Sequence, residues 1–159
     1  MILTRSMSYV GKYSLGALPG DVQEKFGPYL QNYICNMEYL LGGRAEAIED
    51  ALHQYRIEFI PIQLIRGASW ANSYIIADEV QVFGYEEMVT LGTRVGENSK
   101  IVIMGDLGQR DEKIARENTG IYKFVNSEIA KASQLVASIE LLKSERSEVA
   151  SLFADVFES

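Results

Sequence analysis

The sequence predicts an α/β protein built on a mostly parallel sheet with helices on both faces. Three observations carry this. Apolar runs of strand length alternate with segments of helical period along the whole chain, the order that gives layered sheets with right-handed crossovers. Two runs, Ile75-Ile76-Ala77 and Ile101-Val102-Ile103-Met104, are continuously apolar, as expected of strands covered on both faces. Each of them ends in an acid followed by an amide, Asp78-Glu79-Val80-Gln81 and Gly105-Asp106-Leu107-Gly108-Gln109.

The elements follow in order. Ile2-Leu3-Thr4 reads as a short strand, and residues 11–20, with Gly11, Gly16, Pro19 and Gly20, as a loop. Asp21 opens a helical region whose apolar positions include Val22, Phe26, Leu30, Tyr33, Ile34, Met37, Leu40 and Leu41. Gly27-Pro28 should break or kink it, because Pro28 has no N–H to donate. Gly42-Gly43 ends it. A helix over 45–54 turns Ile48, Ala51 and Leu52 inward, and Ile57, Phe59, Ile60 and Ile62 form a strand. A helix over 85–95, with Met88, Val89 and Gly92 against the sheet, joins the two apolar strands. Further helices are expected over 120–130 and from Arg146, with Val149, Leu152, Phe153, Val156 and Phe157 on one face. A strand near 135–142 lies between them. Without repeats or linkers, the expectation is one domain over 1–159.

Composition narrows the function classes. With 159 residues and 47% apolar content the chain can bury a real core. A net charge of −7 disfavours indiscriminate nucleic-acid binding, though a local basic groove is compatible with it. The single cysteine, Cys35, excludes an internal disulfide, so a cytoplasmic location is expected, and its apolar helical setting predicts a small buried filler. His53, the one histidine, has no second His or Cys to form a zinc site and reads as a solvated helix end. No secretory signal begins the chain, and no apolar run reaches the roughly 20 residues that span a bilayer, so no membrane role is expected.

The strand ends carry the chemistry. Mg²⁺ takes oxygen ligands and keeps several waters, so one carboxylate beside bound phosphates is enough to hold it. A second acid can orient an attacking water, and a neutral amide can sense a γ-phosphate. Asp78, Glu79, Asp106 and Gln109 supply these groups. The phosphate-cradling loop, Gly-x4-Gly-Lys-Ser/Thr, does not occur in the 159 residues; in the one Gly-Lys pair, Gly11-Lys12, the next residue is Tyr13.

The motifs, in order, are Leu3-Thr4-Arg5, Leu18-Pro19-Gly20-Asp21-Val22-Gln23-Glu24-Lys25 with Pro28-Tyr29-Leu30, Ile65-Arg66-Gly67, Asp78-Glu79-Val80-Gln81, Gly105 to Asp111, and Arg146-Ser147. This series resembles the PhoH-like proteins, P-loop ATPases associated with phosphate starvation and related to superfamily-one helicases. The match starts at the strand after the phosphate loop and its helix. It departs from the family at Ser6, where Pro is usual, and at Val80, where Ala is usual. The resemblance implies a RecA/helicase-like P-loop NTPase core lacking its first strand and helix. It also implies ATP and Mg²⁺ as cofactors once a phosphate loop is supplied, with Asp78 holding the metal through water. Glu79 would polarise the attacking water, Gln109 and Asp106 would sit at the γ-phosphate and the metal waters, and Gln81 would couple nucleotide to substrate. Arg66 would face the site as a basic residue, and Arg146 would act as an arginine finger. Arg5 would lie near a nucleic-acid or interface groove. Tyr29, Tyr33 and Tyr39 could stack on bases, but at helical spacing they read as core or interface.

In that family the phosphate-loop strand lies beside the strand carrying Gly-Asp-x-x-Gln, so the resemblance implies a gap there. A separate polypeptide, another copy of the chain or its own rearranged segments would fill it. Partners implied are a nucleotide, RNA or DNA, and a homo-oligomer or second chain. Two other classes remain open on sequence alone: a non-catalytic binding or regulatory remnant of the fold, and a metal-dependent nuclease using Asp78, Glu79 and Asp106.

Overall fold

The computed structural model describes residues 1–6, 22–65, 67, 69–110, 115–142, 145 and 147–157, with backbone alone at 22–30 and 45. They fall into two compact units, Met1–Asn126 and Ser127–Ser159.

The first unit holds an all-parallel sheet of four strands: β1 (Ile2–Arg5), β2 (Glu58–Phe59), β3 (Tyr74–Asp78) and β4 (Lys100–Ile103), in the order β2-β1-β3-β4. The α/β class read from the alternation is what the structure has. Side chains alternate across a strand. On one face Ile2, Ile75 and Ala77 pack with Ile62, Ile65, Trp70, Val80, Phe83 and Leu91 as a single buried cluster. Leu91 and Met88 come from α3 (Tyr85–Gly92), and Ile121 from α4 (Gly120–Asn126) packs against the same cluster. The other face carries Leu3, Arg5, Ile76 and Asp78. There α1 (Val22–Leu40) brings the Tyr33 ring to 5.6 Å from that of Phe59. The helix α2 (Ala45–Gln54) follows and buries Ile48.

Ile75, in a central strand and wholly buried, anchors the cluster. Ile75→Ala should lower unfolding free energy by about 2–5 kcal/mol through lost transfer energy and a residual cavity. A urea titration with unchanged slope and a lowered midpoint is the expected result.

Several expected elements differ. The helical assignment of α1 runs unbroken through Gly27-Pro28. Tertiary contacts outweigh propensity in most protein helices, and Tyr33, Ile34 and Met37 supply a half-buried stripe beyond the proline. Cys35 is exposed, because it lies on the outer side of that stripe with Gln31, Tyr39 and Leu40. The expected strand over 57–62 shortens to Glu58–Phe59 and passes through Pro61 into a 3₁₀ turn, Ile62–Leu64. Proline has no N–H for the ladder, which accounts for the early end. The helix after β3 ends at Gly92, and its inward positions are Met88 and Leu91; Val89 and Gly92 are exposed.

The helix expected over 120–130 is divided, with its first part in the first unit and its second part in the second. After α4 ends at Asn126, Ser127 takes an extended backbone and opens α5 (Glu128–Ala132). Residues 135–142 form no strand, and Leu135, Ile139, Leu141 and Leu142 are exposed. A strand needs a neighbour to satisfy its backbone, and among the described residues this segment has none. The last helix, α6, is Glu148–Phe157. No helix among the described residues is long and apolar enough to cross a membrane.

Candidate functional site

Parallel strands deliver their carboxyl ends to one side of the sheet, where ligands of open α/β sheets bind. Arg5 at the end of β1 is the register partner of Asp78 at the end of β3, and Ala77 pairs with Ile103 of β4. The chain continues from β3 into a 3₁₀ turn, Val80–Val82, and from β4 through Gly105 into a second, Leu107–Gln109. Both acid-amide motifs therefore meet at one edge.

Glu79 sits between Asp78 and the first turn with φ 55° and ψ 38°, in the left-handed region that non-glycine residues rarely adopt. Such a conformation costs on the order of 1–2 kcal/mol and persists where surrounding contacts hold it. Those contacts are present: Val80 N donates to Met104 O at 3.0 Å, and the Val80 side chain is fully buried.

The two motifs are joined by Gln81, whose side chain is 2% exposed. Its Nε2 donates to Glu79 Oε2 at 2.5 Å, and its Oε1 accepts from Asp106 N at 3.2 Å. Asp106 in turn accepts from Gly108 N through Oδ1 at 2.8 Å and from Gln109 Nε2 through Oδ2 at 3.2 Å. An unbroken chain of hydrogen bonds thus runs Glu79, Gln81, Asp106, Gln109. Gln81, expected from the resemblance to couple nucleotide to substrate, is the hydrogen-bonded link between the two motifs.

Gly105 makes this link sterically feasible. A Cβ there would stand 2.7 Å from Gln81 Oε1 and 3.1 Å from both Gln81 N and Val80 Cγ2. Gly105→Ala should therefore displace Gln81 and destabilise the fold by about 1–3 kcal/mol, the range for overpacking. The check is a thermal melt with amide exchange at Asp106, whose protection should fall.

The face carrying Asp78 adds two residues. Arg5 Nη2 lies 3.9 Å from Glu79 Oε1, and Tyr33 Oη donates to Asp78 Oδ2 at 3.0 Å. Burial first, then the charge and hydrogen bond of Asp78, push the Tyr33 phenol well above its usual range, so it stays a donor. Arg5, expected near a groove for nucleic acid or a partner, is engaged with the β3 tip. Tyr33 was read only as part of a helical tyrosine stripe. Of that stripe, Tyr39 is exposed and the Tyr29 side chain lies outside the described residues. Arg66 and Arg146 also lie outside the described residues. His53 is exposed at the end of α2, as expected.

Ser6, read above as a departure from the resembled pattern, is buried and accepts from Gln63 Nε2 at 2.9 Å. Its hydroxyl faces Glu87 Oε1 at 3.4 Å. Glu87 Oε2 accepts from Gly84 N at 2.9 Å and so caps α3. The departure at Ser6 thus gains a hydroxyl that ties the end of β1 to α3.

Among the described residues no three His, Cys, Asp or Glu side chains converge to hold a cation by themselves. Asp78 is a single half-buried carboxylate, which would suit Mg²⁺ only if phosphate oxygens and water supplied the remaining ligands.

Comparison with known proteins agrees with the motif order. The family model described as PhoH-like protein matches residues 1–158. The chain is 38% identical over 161 residues to Protein PhoH2 of Bacillus subtilis strain 168, covering 98% of this chain and 35% of the relative. A PhoH-like protein of the same organism is 34% identical over 140 residues, 88% of this chain and 40% of the relative. Protein PhoH of Escherichia coli K12 is 33% identical over 113 residues, 70% of this chain and 31% of the relative. The chain therefore spans between 31% and 40% of the length of these curated relatives. With a family match over nearly all of its residues and with these relatives, the chain belongs to the PhoH-like protein family.

Proposed function

We propose that these residues form the acid-and-sensor part of an ATP-hydrolysing site, active when a phosphate loop from outside them completes it. The observation that carries the reading is the hydrogen-bonded chain from Glu79 through Gln81 and Asp106 to Gln109, which couples a candidate base to a candidate phosphate sensor. Asp78 presents a carboxylate oxygen to water around the metal. Glu79, held by Gln81, orients the attacking water. Gln109, held by Asp106, follows the γ-phosphate. A bound Mg²⁺ would supply positive charge to offset that developing on the transferred phosphoryl group.

Two further features support a missing partner segment. β4 is an outer strand of the sheet, paired only with β3 among the described residues, and Met104 at its end is exposed. By family resemblance this is the side on which the phosphate-loop strand belongs. A buried but unpaired backbone group costs about 1–3 kcal/mol, so an added strand there would be stabilising as well as functional. Arg146 as an arginine finger and Arg66 as a second basic contact belong to the same reading. RNA or DNA remodelling is the work we assign to the turnover.

The test is reconstitution. ATP hydrolysis is measured for the 159-residue chain with and without a polypeptide carrying the strand, Gly-x4-Gly-Lys-Ser/Thr loop and helix. Mg²⁺-dependent turnover only in the mixture supports the proposal. Absence of both nucleotide binding and turnover in the mixture rejects it.

A further inference from the structure

Asp78 and Arg5 are register partners on neighbouring parallel strands, and their side chains leave the same face of the sheet. An aspartate and an arginine so placed would be expected to pair with each other. They do not: among the described residues the ion pair of Arg5 is with Glu79, at 3.9 Å. Arg5 Nε is buried without a hydrogen-bond partner, so a donor stands ready beside Asp78 and is unused. What takes the carboxylate is Tyr33 on α1, through Oδ2 at 3.0 Å. The Tyr33 ring is itself seated against Phe59 of β2, which fixes the direction of its hydroxyl.

We infer that Tyr33 is a positioning residue: its hydroxyl holds Asp78, the acid proposed for the metal, away from Arg5 and so keeps the other carboxylate oxygen available to a metal-bound water. This rests on the assignment of Asp78 to the metal in the proposed function, and goes beyond it by giving α1 a part in the site. A carboxylate with one oxygen tied cannot rotate to present both oxygens to a guanidinium, the arrangement in which arginine binds carboxylates most strongly. Without the Tyr33 hydroxyl, Asp78 turns to Arg5, both lone donor and lone acceptor are satisfied, and the acid is withdrawn from the cation. The tyrosine thus sets the choice between an internal ion pair and a metal contact.

The experiment uses the ¹⁵N-labelled 159-residue chain mixed with the phosphate-loop polypeptide and a non-hydrolysable ATP analogue, which supply the ligands Asp78 alone lacks, with Mn²⁺ as the paramagnetic probe and line broadening at the amides of Asp78, Glu79 and Gln81 as readout. It needs no turnover. Tyr33→Phe removes one oxygen atom, and the dispersion of the same spectrum reports its fold. The variant should require about fivefold more Mn²⁺ for equal broadening, the factor expected of one lost hydrogen bond. A structural role alone would give the same loss whatever residue stands at position 5. The inference requires instead that Tyr33→Phe in an Arg5→Gln background cost less than about twofold, within the additivity error of such cycles. An equal loss in both backgrounds, or no loss with Arg5 present, overturns it. Absence of broadening at these amides in the unsubstituted mixture overturns the assignment of Asp78 to the metal, and the inference with it. Failure of the reconstituted mixture to hydrolyse ATP, with Mn²⁺ broadening intact, counts against the ATPase reading alone.

Discussion

Glu79→Gln is expected to abolish ATP turnover in the reconstituted mixture, lowering the rate constant by about 10²–10⁴-fold, the usual contribution of a positioned acid or base. The substitution keeps size and shape while removing the charge proposed to polarise water. Glu79 is held by Gln81 Nε2 and lies beside Arg5, and an amide at this position can still accept a hydrogen bond from Gln81. Folding and nucleotide affinity should therefore change little. The informative pattern is a fall in kcat with KM nearly unchanged, since an interaction made only in the transition state is being removed. A matching loss from Gln109→Ala would extend the effect to the other end of the hydrogen-bonded chain.

The second large effect concerns the chain alone. Without a phosphate loop, residues 1–159 should hydrolyse ATP no faster than the buffer. Catalysis of phosphoryl transfer is mostly positioning and charge stabilisation, and correct placement of reacting groups is worth about 7–11 kcal/mol. No Gly-x4-Gly-Lys-Ser/Thr segment is present to hold the β- and γ-phosphates in line. A coupled assay on the purified chain checks this directly. Turnover at rates comparable with the reconstituted mixture would mean that other residues grip the phosphates.

Much of the fold was legible because its strands are short, apolar and end in chemically distinctive residues. Ile75-Ile76-Ala77 and Ile101-Val102-Ile103 read as parallel strands covered on both faces; they are paired in parallel, but 101–103 form an outer strand that is only half-buried. The acids at their ends fall at one edge because parallel strands share a direction. The harder features depend on contacts distant in sequence. Tyr33 reaches Asp78 across 45 positions, and nothing in the helical spacing of α1 distinguishes the tyrosine that does so from Tyr39, which is exposed. Cys35 was misjudged because α1 buries only the stripe of Tyr33, Ile34 and Met37, and periodicity alone does not give the width of a buried face. The segment 135–142 has the composition of a strand, but composition cannot supply the neighbour that a strand requires. Gln81 carried a partial signal: an amide two residues after a strand-end acid, with a second such motif downstream. Its burial and its bond to Asp106 N needed the structure.

The central claim is that the two strand tips address one nucleotide. We would map amide shifts in the ¹⁵N-labelled chain, mixed with the phosphate-loop polypeptide, on addition of Mg²⁺ and a non-hydrolysable ATP analogue. The account predicts that Asp78, Glu79, Gln81, Asp106 and Gln109 move together along one saturation curve. Shifts confined to one tip, with the other unmoved at saturation, would contradict it.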